Sequence, residues 1–280
     1  MKVILAKSAG FCWGVRRAVE KARRLAREKK APIWTDGPLI HNRQMMEQLA
    51  KERIHETSQP ESLAGGTLLI RAHGIPPDRR EMLSRLAVDL EDATCPDVAK
   101  IQGLIKRYAA HGCHILIFGD EGHAEVIGLL GYAENRGRVV NSVADVDRLP
   151  AMEPVCLVSQ STQFPASYEQ IAGAVRRRFP GATVLDTICK STRNRQQELM
   201  EIAAVADAVV VVGGLHSANT LRLVELARTL KPTVHVQTAD ELDPKDFLDM
   251  RTVGVTAGAS TPEFIIEQVR QRLERMGNVA

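Results

Sequence analysis

The stretch HILIFGDEGHAEVIGLLGY, residues 114–132, decides the fold class. It begins with a short apolar run, reaches a glycine, passes through a polar loop and continues with helical periodicity. The runs AVVVVGG (208–214) and TVGVTAG (252–258) are followed by the same succession. A repeated order of strand, loop and helix predicts an α/β protein with parallel sheets, whose ligand crevice lies beyond the carboxyl ends of the strands.

The composition describes a globular chain and argues against several classes of protein. The 280 residues are 44% hydrophobic and 25% charged, which suits two or three small domains, and the formal net charge is only +3. Basic residues are spread over helix faces such as RRAVEKARRLAREKK (16–30), so we expect no nucleic-acid partner. No apolar run reaches about 18 residues, and the N-terminal run is too short for a signal peptide. We therefore expect no membrane contact and a cytoplasmic location.

Three of the five cysteines stand just ahead of similar helical segments. Cys12, Cys95 and Cys189 lie in GFCWGVRRAVEKARRLA, ATCPDVAKIQGLIKRYA and TICKSTRNRQQELMEIA, separated by 83 and 94 residues. Cys113 and Cys156 lack this context, so we predict that both are structural thiols. Self-similarity at a fixed period indicates repeated structural units, in which each cysteine occupies an equivalent position.

Two further sequence features recur after each of these cysteines. A histidine follows 27 to 29 residues later in a loop that opens another helix; these are His41, His123 and His216. A strand, a small or polar loop and a helix then recur, with loops centred on His73, Ser161 and Ser260. The repeat predicts three similar α/β domains with small parallel sheets in a pseudo-threefold arrangement. Their predicted boundaries are 1–94, 95–187 and 188–280.

Units arranged in this way would direct their loops at one central cavity, where the three cysteines would meet. Three thiolates from separated segments suit either zinc or an iron–sulfur cluster. In a cubane cluster, one iron would lack a protein ligand and could act as a Lewis acid toward a substrate oxygen. Helix starts and polar loop side chains predict a small phosphorylated ligand. Those side chains are His41, His73, Ser217, Asn219 and Ser260.

Glu125 is the carboxylate that the repeat selects. It follows His123 by two residues at a predicted helix start, in a loop directed at the same cavity. A carboxylic acid there could relay protons. The helix dipole alone also favours a glutamate in a first turn, without any catalytic role.

The motifs together resemble those of the 4-hydroxy-3-methylbut-2-enyl diphosphate reductase family over nearly the whole chain. In order, they are GFCWGVRRA, GPLIHN, RAHG, ATCP, GHAEVIGLLG, SQST, TICKSTRNRQ, HSANTLRL and GVTAGASTP. The resemblance implies three α/β domains around one central 4Fe–4S cluster, with Cys12, Cys95 and Cys189 as ligands and Glu125 as the proton relay. The implied substrate-binding residues are His41, His73, His123, Ser161, Ser217, Ala218 through its backbone, Asn219 and Ser260.

The implied reaction is reductive dehydroxylation of (E)-4-hydroxy-3-methylbut-2-enyl diphosphate, the last step of the methylerythritol phosphate route to isoprenoids. The substrate hydroxyl would bind the open iron, and isopentenyl and dimethylallyl diphosphates would form. The sequence has no GxGxxG fingerprint for a nicotinamide cofactor, so we expect a ferredoxin or flavodoxin as electron donor. Two alternatives remain: a hydro-lyase of the aconitase type, without net electron transfer, and a metal-stabilised module that binds phosphorylated ligands.

The chain departs from the family pattern at a few positions. Ser161 stands where threonine is common, and Thr162 is adjacent, so the sequence leaves open which hydroxyl faces the substrate. The string HSAN (216–219) replaces a common NSSN, so Ala218 can contribute only its backbone, and we assign His216 no role. These changes remove neither a predicted cluster ligand nor the glutamate.

Overall fold

A computed structural model describes residues 1–29 and 32–277 and forms three four-stranded sheets in which every strand pair is parallel. The predicted α/β class with parallel sheets is therefore confirmed. Parallel neighbours require crossover connections, which helices largely supply. The helices are α1 (Trp13–Lys29), α2 (Arg43–Lys51), α3 (Pro77–Ser84), α4 (Pro96–Ala110), α5 (Ala124–Leu130), α6 (Val143–Asp147), α7 (Pro165–Arg178), α8 (Lys190–Val205), α9 (Ala218–Leu230) and α10 (Glu263–Gly277).

The three sheets share one strand order. The strands are β1 (Lys2–Leu5), β2 (Ile33–Asp36), β3 (Ile54–Thr57), β4 (Thr67–Ile70), β5 (Asp89–Asp92), β6 (His114–Phe118), β7 (Gly137–Val140), β8 (Val155–Ser159), β9 (Thr183–Val184), β10 (Ala208–Val212), β11 (Thr233–Val236) and β12 (Thr252–Ala257). The sheet orders are β1-β12-β10-β11, β5-β4-β2-β3 and β9-β8-β6-β7. Each sheet therefore begins with the edge strand that precedes one of the three repeated cysteines.

The N-terminal strand β1 pairs with the last strand of the chain. Its register runs from Lys2 opposite Thr252 to Leu5 opposite Val255. Residues at the two ends of the sequence thus build one sheet, although the repeat groups β1 with residues 1–94. The division into three domains stays a prediction, because sheet membership follows hydrogen bonding rather than position in the sequence.

Alternating side chains bury both faces of the sheets. In β6, Ile115 and Ile117 pack in one apolar cluster, whereas Leu116 and Phe118 pack in another. Successive side chains of a strand point to opposite faces, which explains this division. Because both faces are buried, the sequence of such a strand is a nearly continuous apolar run. The valines of β10 alternate between two clusters in the same way.

The chain separates into two compact units. The terminal unit contains Met1–Arg16, Ile40–Gln48 and the described residues from Lys190 onward; the middle unit contains Arg17–Leu39 and Leu49–Cys189. The sheet built on β1 lies in the terminal unit, and the other two sheets lie in the middle unit. None of the helices in the described part of the chain has the length and apolar character needed to span a membrane.

Candidate active site

The predicted site residues follow the carboxyl ends of inner strands, where open parallel sheets bind ligands. In the terminal unit the structure places His41, Ser217, Ala218, Asn219 and Ser260. In the middle unit it places His73, His123, Glu125 and Ser161. The two sets are described separately below.

Glu125 is a buried carboxyl in the first turn of α5, only 2% exposed. Its Oε1 accepts the backbone N–H of Ser161 at 2.6 Å, and its Oε2 accepts the Ser161 hydroxyl at 2.7 Å. Burial raises the pKa of Glu125 to about 7, although the two bonds from Ser161 oppose that rise. A carboxyl with this pKa can both hold and release a proton near neutral pH, as a general acid must.

Two histidines accompany this carboxyl in the middle unit. His123 caps α5, because its Nδ1 accepts the backbone N–H of Glu125 at 3.1 Å. In the neutral ring Nε2 then carries the proton and can donate to a ligand. The ring of His73 lies edge-on to that of His123, with centroids 5.9 Å apart and an interplanar angle of 77°.

Ser161 and Thr162 have different partners. The Ser161 hydroxyl bonds to Glu125, whereas the Thr162 hydroxyl accepts the side-chain amide of Gln160 at 2.9 Å. The backbone carbonyl of Ser161 accepts the N–H of Cys189 at 3.0 Å. Ser161 therefore joins the proton-holding carboxyl to a predicted cluster ligand, while its contact with substrate stays a prediction.

In the terminal unit, two loops pack closely against the backbone of His41. The hydroxyl of Ser260 donates to the His41 carbonyl oxygen at 3.0 Å. A Cβ at Gly214 would lie 3.0 Å from the same oxygen, so any side chain there would have to displace the His41 loop. Glycine at 214 thus permits the close approach of two loops that the sequence predicts to bind ligand.

The start of α9 presents a donor that lacks an acceptor. Ser217 caps the helix, since its Oγ accepts the N–H of Thr220 at 3.4 Å. Asn219 follows in the first turn with 6% exposure, and its Nδ2 has no hydrogen-bond partner among the described residues. Buried amide groups are nearly always bonded, so this donor indicates a ligand that supplies the acceptor. Helix N-termini favour anionic oxygens.

The five cysteines have two kinds of environment. Cys113 and Cys156 are buried in an apolar cluster of the middle unit. Burial, with the Cys113 sulfur as a further cause, raises the pKa of Cys156 to about 12. Metals bind the thiolate, so this environment suits a structural cysteine. The other three are half-buried: Cys12, Cys95 and Cys189.

The three half-buried cysteines share one backbone contact. Each donates its N–H to a carbonyl in the loop that follows the strand next to the edge of its sheet. The acceptors are Ala259 for Cys12 at 3.1 Å, Ala72 for Cys95 at 2.9 Å and Ser161 for Cys189 at 3.0 Å. The predicted equivalence of the three positions therefore has a counterpart in hydrogen bonding.

Residues 1–29 and 32–277 contain no group of three or more His, Cys, Asp or Glu side chains arranged to hold a metal ion. Cys12 belongs to the terminal unit, and Cys95 and Cys189 belong to the middle unit. The convergence of the three thiols stays a prediction. The donor chemistry fits an iron–sulfur cluster, which takes thiolate ligands from cysteines that are not in a disulfide.

The sequence prediction missed two residues near Cys12. Arg195 and Glu198 lie on α8 and bond to the turn at Ser8, which precedes Cys12. Both stand in the quoted string TICKSTRNRQQELMEIA, whose periodicity predicts only a helix. Nothing in that string indicates a partner about 190 positions away.

Comparison with known proteins identifies the family. The model of the LytB protein family matches residues 3–274. The 4-hydroxy-3-methylbut-2-enyl diphosphate reductase of Opitutus terrae is 49% identical over 99% of this chain and 100% of its own. The reductase of that name from Solidesulfovibrio magneticus is 45% identical over 98% of this chain and 99% of its own.

Solved structures agree with the sequence comparison. The E-1-hydroxy-2-methyl-but-2-enyl-4-diphosphate reductase of Plasmodium falciparum has a TM-score of 0.92 at 29% identity, covering 96% of this chain and 87% of that one. A structure of (E)-4-hydroxy-3-methyl-but-2-enyl diphosphate reductase, described as the terminal enzyme of the non-mevalonate pathway, has a TM-score of 0.73 at 36% identity, covering 98% and 100%. The chain therefore belongs to the LytB family of 4-hydroxy-3-methylbut-2-enyl diphosphate reductases.

Proposed function

We propose that the chain reduces (E)-4-hydroxy-3-methylbut-2-enyl diphosphate to isopentenyl and dimethylallyl diphosphates, the terminal step of the non-mevalonate pathway. The net reaction adds two electrons and two protons, breaks the C4–O bond and releases water. Full-length relatives with this reductase name support the substrate. The single observation that carries the chemistry is Glu125, a buried carboxyl whose pKa of about 7 lets it hold a proton at neutral pH.

The proposed cofactor is one 4Fe–4S cluster with Cys12, Cys95 and Cys189 as its ligands. Support comes from their partial exposure, from their equivalent positions after edge strands, and from the burial of the other two cysteines. When bound, the cluster would pass two electrons, one at a time, from an external reductant to the substrate, and would offer an iron without a protein ligand.

The proposed diphosphate ligands are neutral or protonatable donors. In the terminal unit, the unpartnered Nδ2 of Asn219 and the first N–H groups of α9 suit phosphate oxygens, with Ser217, Ala218, Ser260 and His41 in the same loops. In the middle unit, His123 and His73 provide ring N–H groups. Donors of this kind bind an anion without burying an unpaired cation.

The proposed proton relay runs through Glu125 and Ser161. Because the Ser161 N–H occupies Oε1, the proton of the neutral carboxyl belongs on Oε2, next to the Ser161 hydroxyl at 2.7 Å. That hydroxyl can accept the Oε2 proton and donate its own onward. Burial excludes water from the carboxyl, so the proton leaves by way of this hydroxyl.

The proposed electron donor is a reduced ferredoxin or flavodoxin. The absence of a nicotinamide fingerprint in the sequence supports an external donor. Five cysteines without a disulfide suit a reducing compartment such as the cytoplasm. A test compares turnover with reduced ferredoxin, reduced flavodoxin and NADPH alone, of which only the first two should sustain turnover.

The decisive test is an anaerobic assay of protein reconstituted with iron and sulfide. We expect about four irons and four sulfides per chain, and formation of both products only when reductant is present. Consumption of the substrate without reductant would instead favour the hydro-lyase alternative. Unchanged binding with no turnover under any reductant would favour a binding module.

Cysteine substitutions test the ligand assignment. Replacing Cys12, Cys95 or Cys189 by serine should lower bound iron and abolish turnover, because each thiolate supplies one ligand. Cys113→Ser and Cys156→Ser are the matched controls and should keep wild-type iron content. Loss of iron in a control, with the protein still folded, would contradict the assignment.

A further inference from the structure

The loop that carries Cys12 is held from two sides within the terminal unit. On one side, the Ala6 N–H donates to the carbonyl of Val255 in β12, and the Cys12 N–H donates to the carbonyl of Ala259, just after β12. Between these points the chain makes a turn that ends at Gly10, whose φ of 109° is a conformation that other residues rarely adopt. The other side of the turn faces α8.

Glu198 on α8 binds the turn with both carboxylate oxygens. Oε1 accepts the N–H of Lys7 at 2.6 Å, and Oε2 accepts the N–H of Ser8 at 2.8 Å together with the Ser8 hydroxyl. Partial burial opposes the charge, but the bonds from Ser8 and Lys7 outweigh it and lower the pKa of Glu198. Three donors contact this carboxylate, and two of them are backbone N–H groups that can only donate, so these bonds favour the ionised form.

Arg195, one helical turn earlier on α8, binds the carbonyls of the same turn. Its side chain is 97% buried, since the residue is only 3% exposed. The guanidinium donates to the carbonyl oxygens of Ser8 and Gly10, the latter at 2.6 Å, and to that of Ala257 at the end of β12 at 3.3 Å. Arg195 thus binds the backbone carbonyls of the turn, and Glu198 binds its N–H groups.

A similar arrangement recurs in the middle unit. On α1, the helix after Cys12, Arg17 donates to the Thr94 carbonyl at 3.2 Å and Lys21 to the Asp92 carbonyl at 3.0 Å. These carbonyls immediately precede Cys95. In two repeats, therefore, polar residues five to nine positions after one cysteine bind the segment that leads to the next.

In the remaining repeat, an apolar contact joins the helix to the approach of the next cysteine. Ile101 and Ile105 on α4, the helix after Cys95, belong to the cluster against which Leu185 packs. Leu185 lies four residues before Cys189. The helix that follows each cysteine therefore contacts the approach to the next one, and a buried cation and a carboxylate bind the approach to Cys12.

We propose that Arg195 and Glu198 are positioning residues that fix the Cys12 loop for cluster binding. This inference rests on the proposed function, because it assumes that Cys12 is a cluster ligand. Supporting partners of metal ligands commonly change metal affinity 10- to 100-fold when they are replaced. A residue that merely stabilised the fold would alter unfolding without a specific change at the cluster.

The test uses the full chain in its cluster-loaded and cluster-free forms. Glu198→Gln places an amide NH2 against backbone N–H donors, and Arg195→Met removes all the guanidinium bonds while keeping an unbranched apolar chain. We expect iron loss to an anaerobic chelator to be about 10-fold faster in both variants. We also expect an altered electron paramagnetic resonance signal of the reduced cluster. Arg195→Lys should restore part of the retention, because it keeps a buried cation with N–H donors.

Glu201→Gln is the matched control, since Glu201 is an exposed glutamate on the same helix that bonds to Gln197. It should keep wild-type iron retention and spectrum. In the cluster-free forms, hydrogen exchange should be faster at residues 7–12 in Glu198→Gln and unchanged in β6, which verifies that the protein is folded. Faster exchange confined to that loop supports the hold on Cys12 without reference to iron.

Wild-type iron retention, spectrum and exchange in both Glu198→Gln and Arg195→Met would overturn the inference. So would a fall in thermal stability alone, with the cluster signal and retention unchanged. Wild-type protein that takes up no iron would overturn the proposed cofactor, whereas the exchange comparison would still decide whether Glu198 holds the Cys12 loop. The two failures are therefore distinguishable.

Discussion

Glu125 in the middle unit and Glu198 in the terminal unit make nearly the same contacts but hold their protons differently. Each carboxylate accepts both the backbone N–H and the hydroxyl of a serine, Ser161 for Glu125 and Ser8 for Glu198. Burial raises the pKa of Glu125 to about 7. Burial also opposes the charge of Glu198, but the bonds from Ser8 and Lys7 prevail and lower its pKa.

Two features account for the opposite directions of the pKa shifts. Glu198 has a third donor, the Lys7 N–H, and remains half-buried, whereas Glu125 is 2% exposed and lies near the negative charge of Asp120. The two hydrogen bonds from one serine therefore do not compensate for full desolvation of a carboxylate. Similar hydrogen bonds can therefore accompany a raised carboxyl pKa in one unit and a lowered carboxyl pKa in the other.

The largest expected effect comes from Glu125→Gln. Glutamine resembles the protonated acid in shape but cannot release a proton, so turnover should fall by about 100-fold or more. Iron content and the cluster spectrum should remain those of wild type, which is the opposite of the result expected for Glu198→Gln. Steady-state assays with reduced viologen, together with iron analysis, measure both quantities.

Glu121→Gln serves as the control for this substitution. Glu121 is an exposed glutamate four residues earlier in the loop before α5. Its replacement should leave turnover within about twofold of wild type, as for most exposed positions. Full activity in Glu125→Gln would contradict the proposal that Glu125 relays protons, and the two glutamates would then not differ in function.

The pH dependence of stability is the next largest effect. Because the folded protein raises the pKa of Glu125 from 4.5 to about 7, it binds that proton more tightly than the unfolded chain does. The resulting stabilisation is fully present below pH 4.5 and is lost as the pH rises through about 7, a change of up to about 3 kcal/mol. Glu198 acts in the opposite sense, and its contribution is lost as the pH falls through its lowered pKa.

Urea unfolding between pH 4 and pH 8 separates the two contributions. The difference in unfolding free energy between wild type and Glu125→Gln should change across the window from 4.5 to about 7, with the variant gaining relative to wild type as the pH rises. Both proteins must carry the same cluster loading. A constant difference across the window would show that burial does not raise this pKa.

The fold was largely predictable because its signals are local. Apolar runs such as HILIF (114–118), ended by glycine and followed by helical periodicity, predict parallel strands, and the structure confirms the class. The pairing of β1 with β12 was not predictable, because its partners are about 250 positions apart and no turn signal connects them. The repeat groups residues in sequence order, so it does not indicate this pairing.

The candidate site was predictable to the extent that position in the repeat identifies it. That reasoning selected Glu125 and Cys189, but Ser161 bonds to both through different atoms, a connection that spacing does not reveal. Arg195 and Glu198 escaped prediction because a buried arginine looks like any other charged residue of a helix. Their partners become evident only when residues far apart in sequence are placed together.

The smallest effects should come from truncating the two serines. Ser161→Ala removes the hydroxyl that donates to Oε2 of Glu125 and interrupts the proposed relay, so turnover should fall about 10-fold. Ser161→Thr restores the hydroxyl and should recover most of that activity. Ser8→Ala leaves both backbone donors on Glu198, so iron retention should change by no more than about threefold, the equivalent of one modest hydrogen bond.

The two alanine variants compare the same group in the two environments. Removal of a hydroxyl from a proton path should affect the chemical step, whereas its removal from an anion with two remaining backbone donors should leave that anion in place. Both turnover and the rate of iron loss should be measured for Ser161→Ala and for Ser8→Ala. If Ser8→Ala released iron as fast as Glu198→Gln, the hydroxyl rather than the carboxylate would be what holds the Cys12 loop, and the contrast between the units would have to be assigned to the serines.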